Sequence, residues 1–315
     1  MKFFDQLSAF YKLYQDGTLD NLLGWVNSAK NKKGKIDTQF DVLEKSLDVA
    51  KNRLVTIENA MVRKALDLKT DVDFESQHIC FETTYHVILA GLTPFLVGPA
   101  GSGKSTILAQ IAQAMDLPFY PIPVNSLTEN YNLIGHIDAT SNYIPTPLYW
   151  AYKDGGVVSL EEIDAGNANV LTLMNTLISQ NEFYFPCDTK DKPTKKHPKF
   201  ILAASGNTYG TGANIKYIGR NPLDAATLDR LTVIRVNYDT QMEDRLCQNK
   251  DWLDFVHRVR DNVDKLGMPY VVGTRAVVYG DRLLNTGLSR EAVEQMVVFK
   301  GMPSTDIDKI RSKIR

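Results

Sequence analysis

The sequence predicts an α/β fold: a parallel sheet that delivers a phosphate-binding loop, preceded by an N-terminal helical region and followed by a C-terminal helical one. Three observations carry that prediction. The apolar run Phe95-Leu96-Val97 ends in the glycine-rich turn Gly98-Pro99-Ala100-Gly101-Ser102-Gly103-Lys104-Ser105-Thr106. A helical pattern (Ile107, Leu108, Ile111, Ala112, Met115) starts at once, which is the strand-loop-helix setting that G-x-x-x-x-G-K-[ST] needs. A second apolar strand, Val157-Val158-Ser159-Leu160, ends in Glu161-Glu162, with Asp164 just beyond. Strand and helix patterns alternate around the two, as a parallel sheet requires.

Composition sets the outer limits. The chain has 315 residues, long enough for two or three domains with real cores. Hydrophobic residues make up 43% and charged ones 23%, which is ordinary for a soluble globular protein. A formal net charge of −1 provides no global field for nucleic acid or an anionic membrane. Cys80, Cys187 and Cys247 are scattered, with no C-x-x-C and no histidine at ligand spacing. That fits a reducing cytoplasm and not a structural zinc site. No apolar run approaches a membrane span, and Met1-Lys2-Phe3-Phe4-Asp5 starts no signal peptide.

The elements follow in order. Residues 1–70 read as a helical region with no chemistry of its own. Within it, Leu43, Leu47, Ala50, Leu54, Ile57 and Met61 form an a/d seam. An amphipathic helix packed on its own domain accounts for that seam better than a coiled coil does, and the region is a candidate docking or oligomerisation element. Residues 71–239 read as the nucleotide-binding core. It should open with a helix from about Asp73 to Ala90, stopped by Gly91. After the phosphate-loop helix come a strand over Pro118–Val124 and a hairpin around Ser141-Asn142. A short helix from Pro147 to Asp154 follows, then the acidic strand, then a helix opened by Ala165–Asn169. Phe183–Phe185 leads to a lysine-rich tip (Lys190, Lys192, Lys195, Lys196, Lys199), read as a solvated hairpin because Asp188 and Asp191 dilute its charge. The strand Phe200–Ala204 ends at Ser205-Gly206-Asn207, and Gly210–Asn214 reads as a flexible loop. A helix with Leu223, Ala226 and Leu228 then ends at Asp229-Arg230, and the strand Thr232–Val236 closes the core. Residues 240–315 read as an all-α domain, interrupted by a turn at Tyr270–Arg275.

The chemistry predicted from these residues is that of a nucleoside triphosphate site. Glycines let the loop wrap a phosphate, and its amides with the helix N-terminus cradle the anion. Lys104 would reach the β- and γ-phosphates, and Ser105 would place a hydroxyl on Mg²⁺. One acid at the end of the second strand would hold the metal's water shell, and the next would orient the attacking water. Asn207 would be delivered to the same sheet edge.

The residues from about 70 to 315 resemble the AAA+ ATPases, and most closely the MoxR-type and cobaltochelatase-small-subunit-like (dynein-related) branch, including versions carried by bacteriophages. Gly98–Ser105 resembles Walker A, Val157–Asp164 resembles Walker B, and Asn207 resembles sensor 1. Leu223–Arg230 is similar to the helix that bears the arginine finger, with Arg230 as the finger and Arg220 as a second candidate. Thr274-Arg275-Ala276 is similar to sensor 2. The resemblance implies a core sheet in the order 5-1-4-3-2 with a helical lid, ATP and Mg²⁺ as cofactors, and a homo-oligomeric ring, usually hexameric. Glu162, Asn207, Arg230 and Arg275 would be catalytic, residues 98–106 would hold the nucleotide, and Ser105 and Glu161 the metal. Such proteins remodel a protein partner, often with a von Willebrand A-type protein, in the cytoplasm (the host's, for a phage protein). A nucleic-acid-acting ATPase of replication or packaging, and a scaffold with low turnover, are the other two readings. One departure bears on the last. Relatives show Asp-Glu where this chain has Glu161-Glu162, which leaves open slow hydrolysis or a metal role shared with Asp164.

Overall fold

The computed structural model describes residues 77–188 and 192–313. All of them belong to one of the two units into which the chain divides, Asp71–Arg315. The a/d seam and the region 1–70 lie outside the described residues, as do Lys190 and Asp191 of the predicted lysine-rich tip.

Five parallel strands make the sheet: β1 (Thr93–Val97), β2 (Phe119–Pro123), β5 (Gly156–Glu161), β8 (Phe200–Gly206) and β9 (Leu231–Arg235). Their spatial order is β2-β5-β8-β1-β9, which in chain order of the core strands is the expected 5-1-4-3-2 read from the other edge. The residues explain the placement. Central strands carry unbroken apolar runs because both faces are covered, and Pro94–Val97 and Gly156–Leu160 are buried throughout. β2 has prolines at Pro121 and Pro123, which cannot donate to a ladder, and it lies at an edge.

Helices cover both faces. α1 (Phe81–Leu89) packs on β1, β9 and α2 (Lys104–Ala114), and α2 packs on β2, β5 and β8. The periodic residues of α2, Ile107, Leu108, Ile111 and Ala112, are all buried. α3 (Asn130–Ile134) precedes the two-stranded hairpin β3 (His136–Ile137) and β4 (Tyr143–Ile144). α4 (Pro147–Asp154) starts on a proline after the Thr146 cap, and α5 (Ala168–Ser179) starts on the Asn167 cap. A second hairpin pairs β6 (Glu182–Phe183) with β7 (Thr194–Lys195), and α6 (Ala225–Asp229) leads into β9. The main core gathers Phe95, Val97, Val158, Leu160, Met174 and their neighbours.

The remaining helices have a core of their own around Trp252, Val256, Val277 and Phe299. They are α7 (Thr240–Leu246), α8 (Lys250–Lys265), α9 (Thr274–Asn285), α10 (Arg290–Val293) and α11 (Ser304–Ser312), with a π turn, Glu294–Val298, after α10.

Three expectations need correction. The helix before β1 starts only at Phe81. Residues 77–80 are held out of it because Ile79 N–H donates to Asp239 Oδ2 (2.9 Å) and His78 is buried. The turn after Tyr270 ends at Gly273, since Thr274 and Arg275 already belong to the first turn of α9. The stretch from Gly210 is no loose loop: Thr211 bridges Pro222, Leu223 N–H donates to Gly210 O (2.9 Å), and Lys216 pairs with Asp264 (2.6 Å).

Candidate nucleotide-binding site

The strand register brings the predicted groups to one edge. Val97 is opposite Gly206, and Leu160 is opposite Ala204, so β1, β5 and β8 end side by side. The phosphate loop, Glu161, Glu162 and Asn207 therefore meet in one cleft of about 360 Å³, closed on its far side by Thr274 and Arg275 from α9.

The loop has the build that an anion requires. Gly98 sits so close to the neighbouring strand that a Cβ would lie 1.8 Å from Val236 O. Gly103 caps α2 in the left-handed region (φ 92°) without a side-chain hydrogen bond, so no side chain competes for the N–H groups of the first turn. Ser102 Oγ is buried with no partner. Two tyrosines brace the loop: Ala100 N–H donates to Tyr217 Oη (2.8 Å), and Tyr238 Oη donates to Ala100 O (3.1 Å).

Lys104 Nζ donates to Gly98 O (2.8 Å), Pro99 O (2.9 Å) and Asn207 Oδ1 (3.0 Å). Burial pushes its ammonium down to about 8, against the pull of Asp164 and Glu162, with Arg220 and Arg275 adding to the shift. A bound triphosphate would reverse that shift by supplying negative charge.

Glu161 ends β5 with its Oε1 buried and unpartnered, and Ser105 lines the same cleft. Oxygen donors of this kind suit Mg²⁺. Among the described residues no cluster of three or more His, Cys, Asp or Glu could hold a metal alone, so Glu161 and Ser105 would supply only part of an ion's ligands. Glu162 takes the left-handed conformation (φ 59°) and projects a half-exposed carboxylate to Arg220 (Nη2 to Oε2, 2.9 Å).

Asp164 does not line the cleft. It is fully buried, and its Oδ2 accepts from Asn207 N–H (3.0 Å), Thr208 N–H (2.9 Å) and Thr208 Oγ1 (2.9 Å), while Arg220 Nη1 faces Oδ1 at 3.3 Å. Its carboxylate ties the end of β8 to the end of β5. Asn207 is held by its backbone to Asp164 and by its side chain to Lys104. Asn207→Ala is expected to lower turnover about tenfold with ATP affinity within about threefold, because two backbone acceptors still hold Lys104. Steady-state kinetics with a separate binding measurement checks this, and an affinity loss as large as that of Lys104→Ala would contradict it.

Arg275 reaches the cleft beside Gly101, whose Cβ, if present, would lie 3.7 Å from Arg275 Cγ. Its neighbour Thr274 is fixed by a carboxylate that local sequence pattern does not reveal. Glu243 of α7 is fully buried and accepts from Thr274 Oγ1 (2.6 Å), Arg260 Nη2 (2.6 Å), Arg260 Nη1 (2.9 Å) and His257 Nε2 (2.7 Å). Burial alone would raise this carboxyl, but Arg260, then Thr274 and His257, pull it below the usual range. Arg260 also stacks on the Tyr238 ring at 4.1 Å.

Arg230 lies apart from the cleft. It is exposed and caps its own helix, donating from Nη1 to Ala226 O (2.6 Å) and from Nε to Ser179 Oγ (3.4 Å).

This phosphate cradle, with its acidic strand end, coincides with a family match. Residues 94–231 match the family described as AAA domain (dynein-related subfamily). Over this segment the chain is similar to AAA domains of the dynein-related subfamily. The match implies ATP binding. Midasin of Giardia intestinalis is 27% identical over 163 residues, which cover 48% of this chain and 3% of midasin, so the match spans only a small part of that relative. The solved structure of NtrX from Brucella abortus aligns with 86% of this chain and 59% of its own at 16% identity, with a TM-score of 0.43. Among the described residues, no helix flanking the AAA domain or within it is long and apolar enough to cross a membrane.

Proposed function

We propose that this AAA domain hydrolyses ATP with Mg²⁺ in a homo-oligomeric ring, hexameric by family likeness, and that the ring remodels a protein partner. The observation that supports it best is Glu162. A carboxylate able to orient water stands at a strand end beside a phosphate cradle that has a lysine, a helix N-terminus and a buried hydroxyl, Ser102 Oγ, without a partner. Glu161 and Ser105 would hold the ion, which neutralises charge between the phosphates. A von Willebrand A-type protein is the partner class that the resemblance suggests.

Arg230 is the group we assign to the neighbouring subunit's ATP. Its side chain is exposed, so water can replace the two hydrogen bonds to Ala226 O and Ser179 Oγ when it leaves its place. A guanidinium supplied from outside the pocket stabilises the charge that develops on the transferred phosphoryl group. The test is phosphate release by rings of known composition. Arg230→Ala and Glu162→Gln subunits are each expected to be inactive, and mixed rings should regain part of the wild-type rate at interfaces that pair an intact arginine with an intact glutamate. Mixed rings that form yet stay dead, or normal turnover by Arg230→Ala alone, would remove the assignment. ATP binding without turnover in the wild type would instead favour a nucleotide-dependent scaffold. Salt-sensitive stimulation by DNA or RNA would favour nucleic acid as the substrate. Capture of a protein partner by Glu162→Gln subunits loaded with ATP would support remodelling.

A further inference from the structure

Arg220 touches the proposed water-activating glutamate of its own chain, and neither the phosphate cradle nor the trans arginine explains why. Its side chain is only 12% exposed although it lies on a surface segment. The segment is moored on both sides of it. Asn221 N–H donates to Asp164 O (2.6 Å) and Asn221 Nδ2 to Gly166 O (3.1 Å), while Tyr217 reaches the phosphate loop. The guanidinium bridges two carboxylates, Glu162 Oε2 at 2.9 Å and Asp164 Oδ1 at 3.3 Å. Asp164 is immobile, being fully buried and bound through its other oxygen by Asn207 and Thr208. Glu162 is the mobile member, with 56% of its side chain exposed.

We propose that Arg220 is a positioning residue acting within its own subunit: anchored on Asp164, it holds Glu162 by Oε2 and leaves Oε1 to orient the attacking water. A general base has to lie within hydrogen-bond reach of its water, and a half-exposed glutamate left free spreads over several rotamers. The bridge removes that freedom and links the strand end to the same buried carboxylate that sets Asn207. It also separates Arg220 from Arg230. The first serves the ATP of its own chain, the second that of a neighbour.

The inference rests on the hydrolytic reading, so wild-type turnover is measured first. No wild-type hydrolysis would sink that reading, and Arg220 with it. Hydrolysis by the wild type with unchanged Arg220 variants would sink the inference alone. With the full chain, Arg220→Gln is expected to lower kcat about 30- to 100-fold, with KM and ATP affinity within about threefold. Arg220→Lys, which keeps the charge and one contact, should lose less. Rings that mix Arg220→Gln with Glu162→Gln should give no more than the sum of the separate rates, because both residues are needed in the same chain. Recovery of activity on mixing would overturn the proposal in favour of a trans role. A fall in melting temperature and ATP affinity that tracks the loss of kcat in both variants would also overturn it, leaving Arg220 as a structural counter-ion to Asp164.

Discussion

Replacing Lys104 by alanine is expected to remove most ATP binding while the fold persists. In the free protein the ammonium is held by two loop carbonyls and Asn207, in a place where burial already lowers it to about 8. Alanine therefore takes away a charge that the fold itself disfavours, and the domain should not unfold for lack of it. The triphosphate, in contrast, loses the cation at its most charged end. Charge-assisted hydrogen bonds contribute about 1.5–3 kcal/mol each, so one or two lost contacts correspond to roughly 10- to 10,000-fold in Kd. Calorimetry with ATP and Mg²⁺ decides it, and unchanged affinity in a folded variant would refute the role. The same lysine predicts a pH dependence. Only its protonated form helps to hold the anion, and the free site loses that proton as pH rises through about 8. Wild-type affinity should therefore be nearly flat below about pH 7.5 and fall by up to tenfold per unit above 8. Binding at pH 8.5 should take up a proton, measurable by repeating the titration in buffers of different ionisation enthalpy. Lys104→Ala should lose this dependence.

Glu162→Gln is expected to keep ATP binding and reduce turnover by about 100- to 10,000-fold, the range assigned to a positioned general base. The amide keeps the shape of the side chain and a contact for Arg220, but it cannot accept the proton of an attacking water. Asp164→Asn provides the contrast. That carboxylate is buried and bound by three donors besides Arg220, so an amide there turns an N–H₂ group toward donors. Breaking such a buried arrangement costs about 3–5 kcal/mol, which should appear as a fall in thermal stability before any effect on chemistry. Single-turnover phosphate release with melting curves separates the two. A fully active Glu162→Gln beside a stable but dead Asp164→Asn would move the water-activating role two residues along the chain.

The sheet was legible because its causes are local. Apolar runs long enough to be buried on both faces marked β1, β5 and β8. The glycines and Lys104 marked the loop between the first of these and its helix. Element ends were less legible, because tertiary contacts set them: Asp239 takes the Ile79 N–H that would have extended α1. At the site, the sequence displayed the residues at strand ends but not their partners. Tyr217 and Tyr238 reach Ala100 across 117 and 138 residues, and no periodicity records such a contact. Asp164 shows the same limit. As a third acid after Glu161-Glu162 it resembles a spare metal ligand, and only the positions of Asn207 and Thr208 reveal it as a tie between strands. Glu243 is in sequence one more residue of a helical stretch, since burial and counter-charge leave no mark on local pattern.

Glu243 and Arg260 also connect the C-terminal helices to both sides of the cleft. One guanidinium on α8 leans on Tyr238, which holds the phosphate loop, and grips Glu243, which holds the residue next to Arg275. The two walls of the cleft therefore meet on one guanidinium. Coupling of this kind is reciprocal. If ATP draws Arg275 inward and shifts α8, then a protein that grips α8 must alter ATP affinity by the same factor that ATP alters its grip. A partner acting on the lid would need no access to the nucleotide to time its release.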